Sequence, residues 1–182
     1  LVMSLTHYIG SIMGNLLAEE PLQCRCLKFD SPLVSNTDLA KIKDGKASKF
    51  THVTIPMLFP VGSGGIGLQN ALQNMCRLAE EAVDAKKNYI ILSDAGVSED
   101  MAPVPSLLAV ATVHHHLIRA KKRMQVGILV ATGDAREVMH FALLLGYGAS
   151  IINPYVCFAS IAHMVREGKI STDYITARDN FI

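Results

Sequence analysis

The chain of 182 residues contains no tryptophan, and aromatic residues make up only 6% of it. It also has no excess of charge of either sign, because 17 basic and 16 acidic residues leave a formal net charge of +1. Such a balance provides neither a basic surface for nucleic acid nor a disordered acidic tail. We therefore expect no nucleic-acid partner.

Long hydrophobic runs are absent as well. No apolar run approaches the roughly 20 residues that a membrane helix needs, and the amino end shows no pattern of a secretory signal. The four cysteines have no spacing that suggests a disulfide framework. We expect a soluble protein of a reducing compartment, without a membrane partner. The cysteines are Cys24, Cys26, Cys76 and Cys157.

Short, continuously apolar segments dominate the second half of the sequence. Residues 89–92 and 126–130 are rich in branched side chains, and each is followed by a segment of helical periodicity. This pattern is typical of parallel strands covered by helices on both faces. With strands also predicted at residues 51–59 and 150–155, the order is βαβαβαβα. The predicted fold is α/β, with alternating β-α units and a mainly parallel sheet.

The flanking segments are less regular. Residues 5–18 carry apolar side chains three and four apart, which predicts an amphipathic leading helix. Residues 31–34 are expected to be extended, and the capping spacing of residues 35–38 predicts a short helix. A last helix should run to about Glu167 and leave a polar tail.

These patterns divide the chain into three parts of one domain. Residues 1–50 form a lead-in, residues 51–168 the α/β core, and residues 169–182 a carboxyl-terminal tail. The sequence starts within the apolar pattern of the leading segment and has no initiator methionine. We therefore expect the chain to be a piece of a longer protein.

Gly62, Gly64 and Gly67 form the most conspicuous local motif, and Asp94 follows the next strand. In a nucleotide-binding protein, such glycines bring backbone amides against a pyrophosphate, and the acid binds the ribose hydroxyls. Two prolines interrupt the strand before the loop, and Asp94 is further away than that fingerprint requires. The alternatives are a freestanding nucleotide-binding enzyme and a glycine loop without a ligand.

His114, His115 and His116 suggest a metal site only superficially. Consecutive helical residues point about 100° apart, whereas two ligands of one metal need a spacing of three or four residues. We expect no metal here, with one or two rings packed or capping backbone and the third facing water. The basic residues that follow are interpreted as complementing the carboxyl end of the helix dipole. They are Arg119, Lys121, Lys122 and Arg123.

Several longer motifs occur together and in order. Taken together, they resemble the central domain of the large subunit of glutamate synthase, and the similarity extends from about Leu5 to the last helix. The motifs are Ser31-Pro32-Leu33-Val34-Ser35, Leu92-Ser93-Asp94, the segment from Pro105 to Ala111, the segment from His114 to Arg119, Ala135-Arg136-Glu137-Val138, Gly146-Tyr147-Gly148-Ala149 and Asn153-Pro154-Tyr155.

The resemblance implies a non-catalytic domain that links a glutaminase domain and an FMN-binding synthase domain of the same polypeptide. It implies a fold like a rudimentary TIM-type barrel and walls that help to line an ammonia path. The parent enzyme, an oxidoreductase of ammonia assimilation, would make L-glutamate from L-glutamine and 2-oxoglutarate. Its FMN, its iron-sulfur cluster and its electron donor, NAD(P)H or ferredoxin, would bind to parts of the parent enzyme outside this chain. The parent enzyme would work in the cytoplasm or in a plastid.

On this interpretation the chain has no catalytic, cofactor-binding or metal-binding residue of its own. It should be inactive when isolated, and apolar patches exposed by the missing neighbours could make the fragment self-associate artificially. Three positions depart from the family's usual pattern. Ala95 replaces a common arginine, Ala131 a frequent glutamate, and Met139 an expected second histidine.

Overall fold

A computed structural model describes residues 4–10, 26–44 and 50–182 of the chain. Four strands in these ranges form a parallel sheet, and two antiparallel pairs of short strands flank it. The elements are β1 (His7–Ile9), β2 (Leu27–Phe29), α1 (Asn36–Asp44), β3 (His52–Pro56), β4 (Leu58–Pro60), α2 (Gly64–Asp84), β5 (Tyr89–Ser93), β6 (Met101–Pro103), α3 (Ser106–Arg119), β7 (Gly127–Ala131), α4 (Val138–Gly146), β8 (Ile151–Asn153), α5 (Tyr155–Arg166) and α6 (Tyr174–Phe181).

The parallel sheet has the order β3-β5-β7-β8, so the strands lie side by side in the order of the sequence. The predicted alternation of strands and helices with a mainly parallel sheet is confirmed. Pro56 lies in the edge strand β3, as expected for a residue that cannot donate a ladder hydrogen bond. This order is also the one that (β/α) barrels use. Closure into a barrel stays a prediction.

Both faces of the sheet are buried, which explains the continuous apolar runs of its strands. Alternate residues point to opposite faces, so Ile90 and Ile128 enter one hydrophobic cluster while Ile91 and Leu129 enter the other. The first cluster lies beneath α2, α3 and α4. The second is covered by α1 and by the β1-β2 pair. The lead-in therefore completes the core and has little core of its own.

The amino-terminal segment is tied to the far edge of the sheet. Leu33 forms a parallel bridge with Ile152, so the predicted extended segment is confirmed at Leu33, whereas residues 31 and 32 lie in a bend. The amide of Val34 donates to the Ile152 carbonyl at 3.0 Å. The short helix predicted after Ser35 is α1.

The helix predicted over residues 5–18 is wrong where the structure describes it. Residues 7–9 form β1, which pairs antiparallel with β2. Ile9 is buried in the second cluster, and the Tyr89 hydroxyl donates to its carbonyl at 3.4 Å. Tertiary packing thus overrides the local helical periodicity. Residues 11–18 lie outside the described ranges, as do residues 45–49 of the predicted loop.

Three further details correct the sequence-based picture. The helix expected after the glycine motif begins at Gly64, so two of the three motif glycines, Gly64 and Gly67, belong to the first turn of α2. The helix expected from Ala135 begins at Val138. The tail contains α6, because Phe181 packs edge-on against Phe141 and Phe158 with ring centroids 6.0 Å apart.

Candidate functional site

The carboxyl ends of the parallel strands are the natural place to look for a site, because ligands of α/β folds bind there. Three polar segments meet at this edge, one at the carboxyl end of each of β5, β7 and β8. They are Ser93-Asp94, Thr132-Gly133-Asp134 and Asn153-Pro154-Tyr155.

Asp94 is the centre of this edge. Its side chain is buried, and its carboxylate accepts hydrogen bonds from Thr132 Oγ1 at 2.7 Å and from the Gly133 amide at 2.9 Å. The Tyr155 hydroxyl also donates to it. Burial of the Tyr155 ring and this hydrogen bond raise the pKa of the hydroxyl to about 12. The carboxylate is therefore engaged by the ends of two neighbouring strands.

The network continues to the amino end of α3. Thr132 Oγ1 accepts from the Asp134 amide at 3.0 Å, and Asp134 Oδ2 accepts from the Ser106 amide at 3.1 Å. An amino-terminal helix end attracts anions through its unpaired amides and its dipole. Here the chain's own Asp134 takes that position.

Asn153 joins this edge to the lead-in. Its Nδ2 donates to the Val34 carbonyl and to Asn36 Oδ1, each at 2.9 Å. The side chain is buried. The amide thus fixes the start of α1 against the end of β8.

A small cleft of about 230 Å³ opens beside these residues. Ala95 and Ala131, two of the three positions that depart from the family pattern, both line it. Small side chains at these positions provide none of the polar contacts that arginine and glutamate would bring. Met139, the third position, is exposed on α4. The other lining residues are Asn36, Leu39, Ala40, Lys43, Ser93, Asn153 and Tyr155.

The glycine motif has a different setting from that of a dinucleotide-binding loop. Gly62 and Gly64 adopt left-handed φ values of 88° and 57°, and the loop follows β4, which pairs with β6 outside the parallel sheet. In the doubly wound dinucleotide-binding fold, the site lies where the strand order of the sheet reverses, and the described order β3-β5-β7-β8 contains no such reversal. Together with the engaged Asp94, this geometry does not favour the freestanding nucleotide-binding enzyme.

The three consecutive histidines have different polar partners, although the rings of His114 and His115 lie edge-on with centroids 5.2 Å apart. His114 Nδ1 accepts from Arg123 Nε at 2.8 Å, whereas His116 Nε2 lies 3.0 Å from Glu80 Oε2. His115 is exposed. Two packed rings and one facing water confirm the predicted arrangement, although the packed rings contact side chains rather than backbone.

The basic cluster after α3 has more specific roles than the predicted complement to the helix dipole. Arg123 is largely buried and, besides His114, donates to the carbonyls of Val126 at 2.8 Å and Gly148 at 2.7 Å. Lys122 Nζ forms ion pairs with Glu80 at 3.0 Å and Asp84 at 2.6 Å. The dipole interpretation is incomplete because it considers only the helix that carries these residues.

Sequence reasoning placed Asp94 at a strand end but missed its partners Thr132 and Gly133. A signal was available, since polar residues that follow neighbouring parallel strands meet at one edge. Arg123 gave no such signal, because its acceptors come from a turn and a distant loop.

The described residues include no group of three His, Cys, Asp or Glu side chains close enough to hold a metal ion. Burial raises the pKa of both the Cys76 and the Cys157 thiols, and neither forms a disulfide. Cys24 lies outside the described ranges. An iron-sulfur cluster, which needs several converging thiolates, has no fitting ligand set in this part of the chain. Nor do the described ranges contain a helix long and apolar enough to cross a membrane.

Comparison with known proteins gives a consistent result. The chain is 36% identical over 171 residues to an NADH-dependent glutamate synthase of Saccharomyces cerevisiae, covering 93% of the chain and 8% of that protein. It is 36% identical over 174 residues to the NADPH-dependent glutamate synthase large chain of Bacillus subtilis, covering 96% and 11%. For the ferredoxin-dependent glutamate synthase 2 of Synechocystis, the identity is 39% over 165 residues, covering 88% and 10%.

The chain therefore spans only about a tenth of the length of these relatives. The family described as "Glutamate synthase central domain" matches residues 1–182, which is the whole chain. The resemblance seen in the sequence motifs is thereby confirmed, and the chain belongs to the glutamate synthase central domain family.

Proposed function

We propose that this chain is the non-catalytic central domain of a glutamate synthase polypeptide, in which it links a glutaminase domain to an FMN-binding synthase domain. The family match over residues 1–182 carries this proposal. The parent enzyme would make L-glutamate from L-glutamine and 2-oxoglutarate. The proposed working compartment is the cytoplasm, or a plastid in a photosynthetic source.

The chemistry of the strand ends supports a structural role. At a catalytic edge, carboxylates and hydroxyls face a cavity that a substrate can enter. Here Asp94 is buried and bound to Thr132, Gly133 and Tyr155, and Asp134 caps α3. Their hydrogen bonds join strand ends and a helix to one another. Such an edge is suited to holding a fixed shape.

The parent's cofactors are proposed to bind elsewhere in the polypeptide. The relatives are named for NADH, NADPH or ferredoxin, and their identities to this chain are 36%, 36% and 39%, respectively. A segment that is alike in enzymes with different electron donors is not expected to select the donor. FMN and the iron-sulfur cluster are assigned to the synthase domain by the family resemblance. Lining of an ammonia path remains part of this proposal.

The absence of a cofactor site is tested by titrating the purified 182-residue chain with FMN, NADH and NADPH. We expect no saturable binding, and neither glutaminase activity nor glutamate formation. A control pair tests the glycine motif. Gly64→Val places a side chain at a φ of 57°, whereas Gly65→Ala lies in open space with ordinary backbone geometry. Saturable binding that only Gly64→Val removes would establish a nucleotide site and overturn the proposal.

The linking role is tested in the full-length polypeptide that contains this segment. A variant that distorts the central domain, Gly148→Ala, should lower glutamine-dependent glutamate formation. Ammonium-dependent glutamate formation and glutamine hydrolysis should persist, because their active sites lie in other domains. Gly65→Ala, which adds a methyl group in open space on another helix, is the control and should leave all three rates unchanged. Equal loss of all three rates, or no loss of any, would contradict a linking role.

A further inference from the structure

The outer surface of α4 is unusually apolar. Val138, Met139, Leu143 and Tyr147 are 83%, 61%, 41% and 45% exposed, respectively. Spacings of four residues place Val138 above Ala142 and Met139 above Leu143, so these side chains form one stripe. The opposite side of the helix is buried through Phe141 and Leu144. The helix is thus apolar on both sides, whereas a surface helix normally presents polar residues to water.

Charge is confined to the amino-terminal edge of this surface, where the exposed Arg136 and Glu137 directly precede Val138. Residues 138–165, which include α4 and nearly all of α5, contain no Asp, Glu, Lys or Arg. The outer side of α2 is different, because Arg77 and Glu81 lie there exposed and form an ion pair. Depletion of charge with enrichment of large apolar and aromatic side chains distinguishes the centre of an interface from ordinary protein surface.

A groove adjoins the apolar stripe. It lies between α3 and α4 and has a volume of about 160 Å³. Leu107, Leu143 and Leu144 form its apolar part, and Ser106, Asp134 and His140 form its polar part. Leu108 of α3 is also partly exposed. The apolar stripe and the groove beside it together form a surface into which a side chain of another domain can insert.

We infer that the α4 face, defined as the exposed side chains of Val138, Met139, Leu143 and Tyr147, is the surface against which a neighbouring domain of the same polypeptide packs. The inference rests on the proposed function, and it locates the contact on one helix. In the relatives about nine-tenths of the polypeptide lies outside the matched segment.

Covalent connection favours this occupant over a second copy of the chain. A tethered domain is present at an effective concentration of about millimolar or more, so it outcompetes free molecules for the same face. The expected partner surface is apolar and uncharged, because a charge buried against Val138 and Leu143 would be left without a counter-charge.

The test is the rate at which a maleimide modifies Val138→Cys, measured on the peptide that contains residue 138. In the isolated 182-residue chain, labelling should be fast. In the full-length polypeptide it should slow by more than about tenfold, because reaction then requires local opening of the interface. Glu81→Cys, on the charged side of α2, is the matched control and should change less than about twofold. Equal labelling of residue 138 in both proteins would overturn the inference.

Dilution identifies the occupant. Protection by a tethered domain does not depend on concentration, so the slow rate should persist when the full-length polypeptide is diluted. Protection that disappears on dilution would show a second copy and would also overturn the inference. The outcome is independent of catalysis. Protection of residue 138 without any effect of Gly148→Ala on coupling would reject the linking role and leave the interface in place.

Discussion

At the scale of single residues, Gly148 shows how closely the loops are packed. Its φ of 109° is strained for any other residue, and a Cβ atom there would overlap the imidazole of His114. That imidazole is held by Arg123, which also donates to the Gly148 carbonyl at 2.7 Å. The glycine is therefore required both by its backbone conformation and by the ring beside it.

Gly148→Ala should lower the free energy of unfolding by more than about 2 kcal/mol, because the variant combines backbone strain with overpacking. Urea unfolding followed by circular dichroism measures this. Gly146→Ala, two residues earlier, meets nothing within 4 Å and should be neutral or stabilising by up to about 1 kcal/mol. Similar midpoints for the two variants would show that the His114 ring moves aside at little cost.

His114 should make stability depend on pH. Burial, followed by the nearby charges of Arg123 and His115, lowers the pKa of His114 below its ordinary value near 6.5. In the unfolded chain the ring therefore binds a proton at a higher pH than in the folded protein. Its contribution to stability is fully present above about pH 6.5 and is lost as the pH falls towards the folded pKa.

The measurement is the urea midpoint between about pH 7.5 and 5 for the wild type and for His114→Asn. The asparagine oxygen can still accept from Arg123, but it does not titrate. The wild type should lose more stability than the variant as the pH falls. Parallel pH profiles would mean that the ring titrates alike in the folded and unfolded states.

At the scale of elements, α6 illustrates what local sequence cannot decide. Its eight residues are too few for a stable isolated helix, which explains why the polar segment was predicted as a tail. Two contacts hold it, the packing of Phe181 against two rings of the core and the cap from Asp173. The Asp173 cap could have been recognised, but the ring contacts depend on the tertiary fold.

Asp173→Ala should destabilise α6 and speed exchange of its amides, because Oδ1 accepts from the Ile175 amide at 2.9 Å and the Thr176 amide at 3.1 Å. Hydrogen exchange of the α6 amides is the direct readout. Asp173→Asn retains a capping oxygen and should exchange nearly as the wild type does. If alanine and asparagine accelerate exchange equally, the charge and not the cap stabilises the helix.

The central strands were predictable because burial on both faces leaves an unbroken apolar run in the sequence. β5 and β7 therefore lie within one residue of their predicted positions. β1 and β6 each contain only three residues, and their pairing partners lie well away in the sequence. The same reason explains why Asp94 could be placed at a strand end while its bonds to Thr132 and Gly133 could not.

At the scale of the whole molecule, the second face of the sheet depends on the lead-in. Leu39 and Ile42 of α1 pack there with Tyr89, Ile91 and Leu129. Without α1, these strand residues would face water. The division into lead-in, core and tail remains a prediction about sequence segments, but the core itself is shared between them.

Leu39→Asp should abolish cooperative unfolding or greatly lower its midpoint, because it places a charge in an apolar cluster without a partner. Lys41→Asp, on the exposed side of the same helix, should change stability by less than about 1 kcal/mol. Thermal unfolding and binding of a hydrophobic dye distinguish the two variants. A Leu39→Asp protein that unfolds like the wild type would show that α1 is dispensable.

The attachment of the lead-in to β8 also has a consequence for biosynthesis. The Asn153 amide that holds Val34 is separated from it by 119 positions, so residues 33–36 leave the ribosome long before their partner strand exists. Residues 33–36 cannot pair with β8 while β3, β5 and β7 are being synthesised, and these three strands are made in the order in which they pair. The helical side of the sheet can form progressively during translation, whereas the opposite side closes only after β8 has been made. Until then, the side of β5 that carries Ile91 lacks the hydrogen bonds that fix the lead-in against β8.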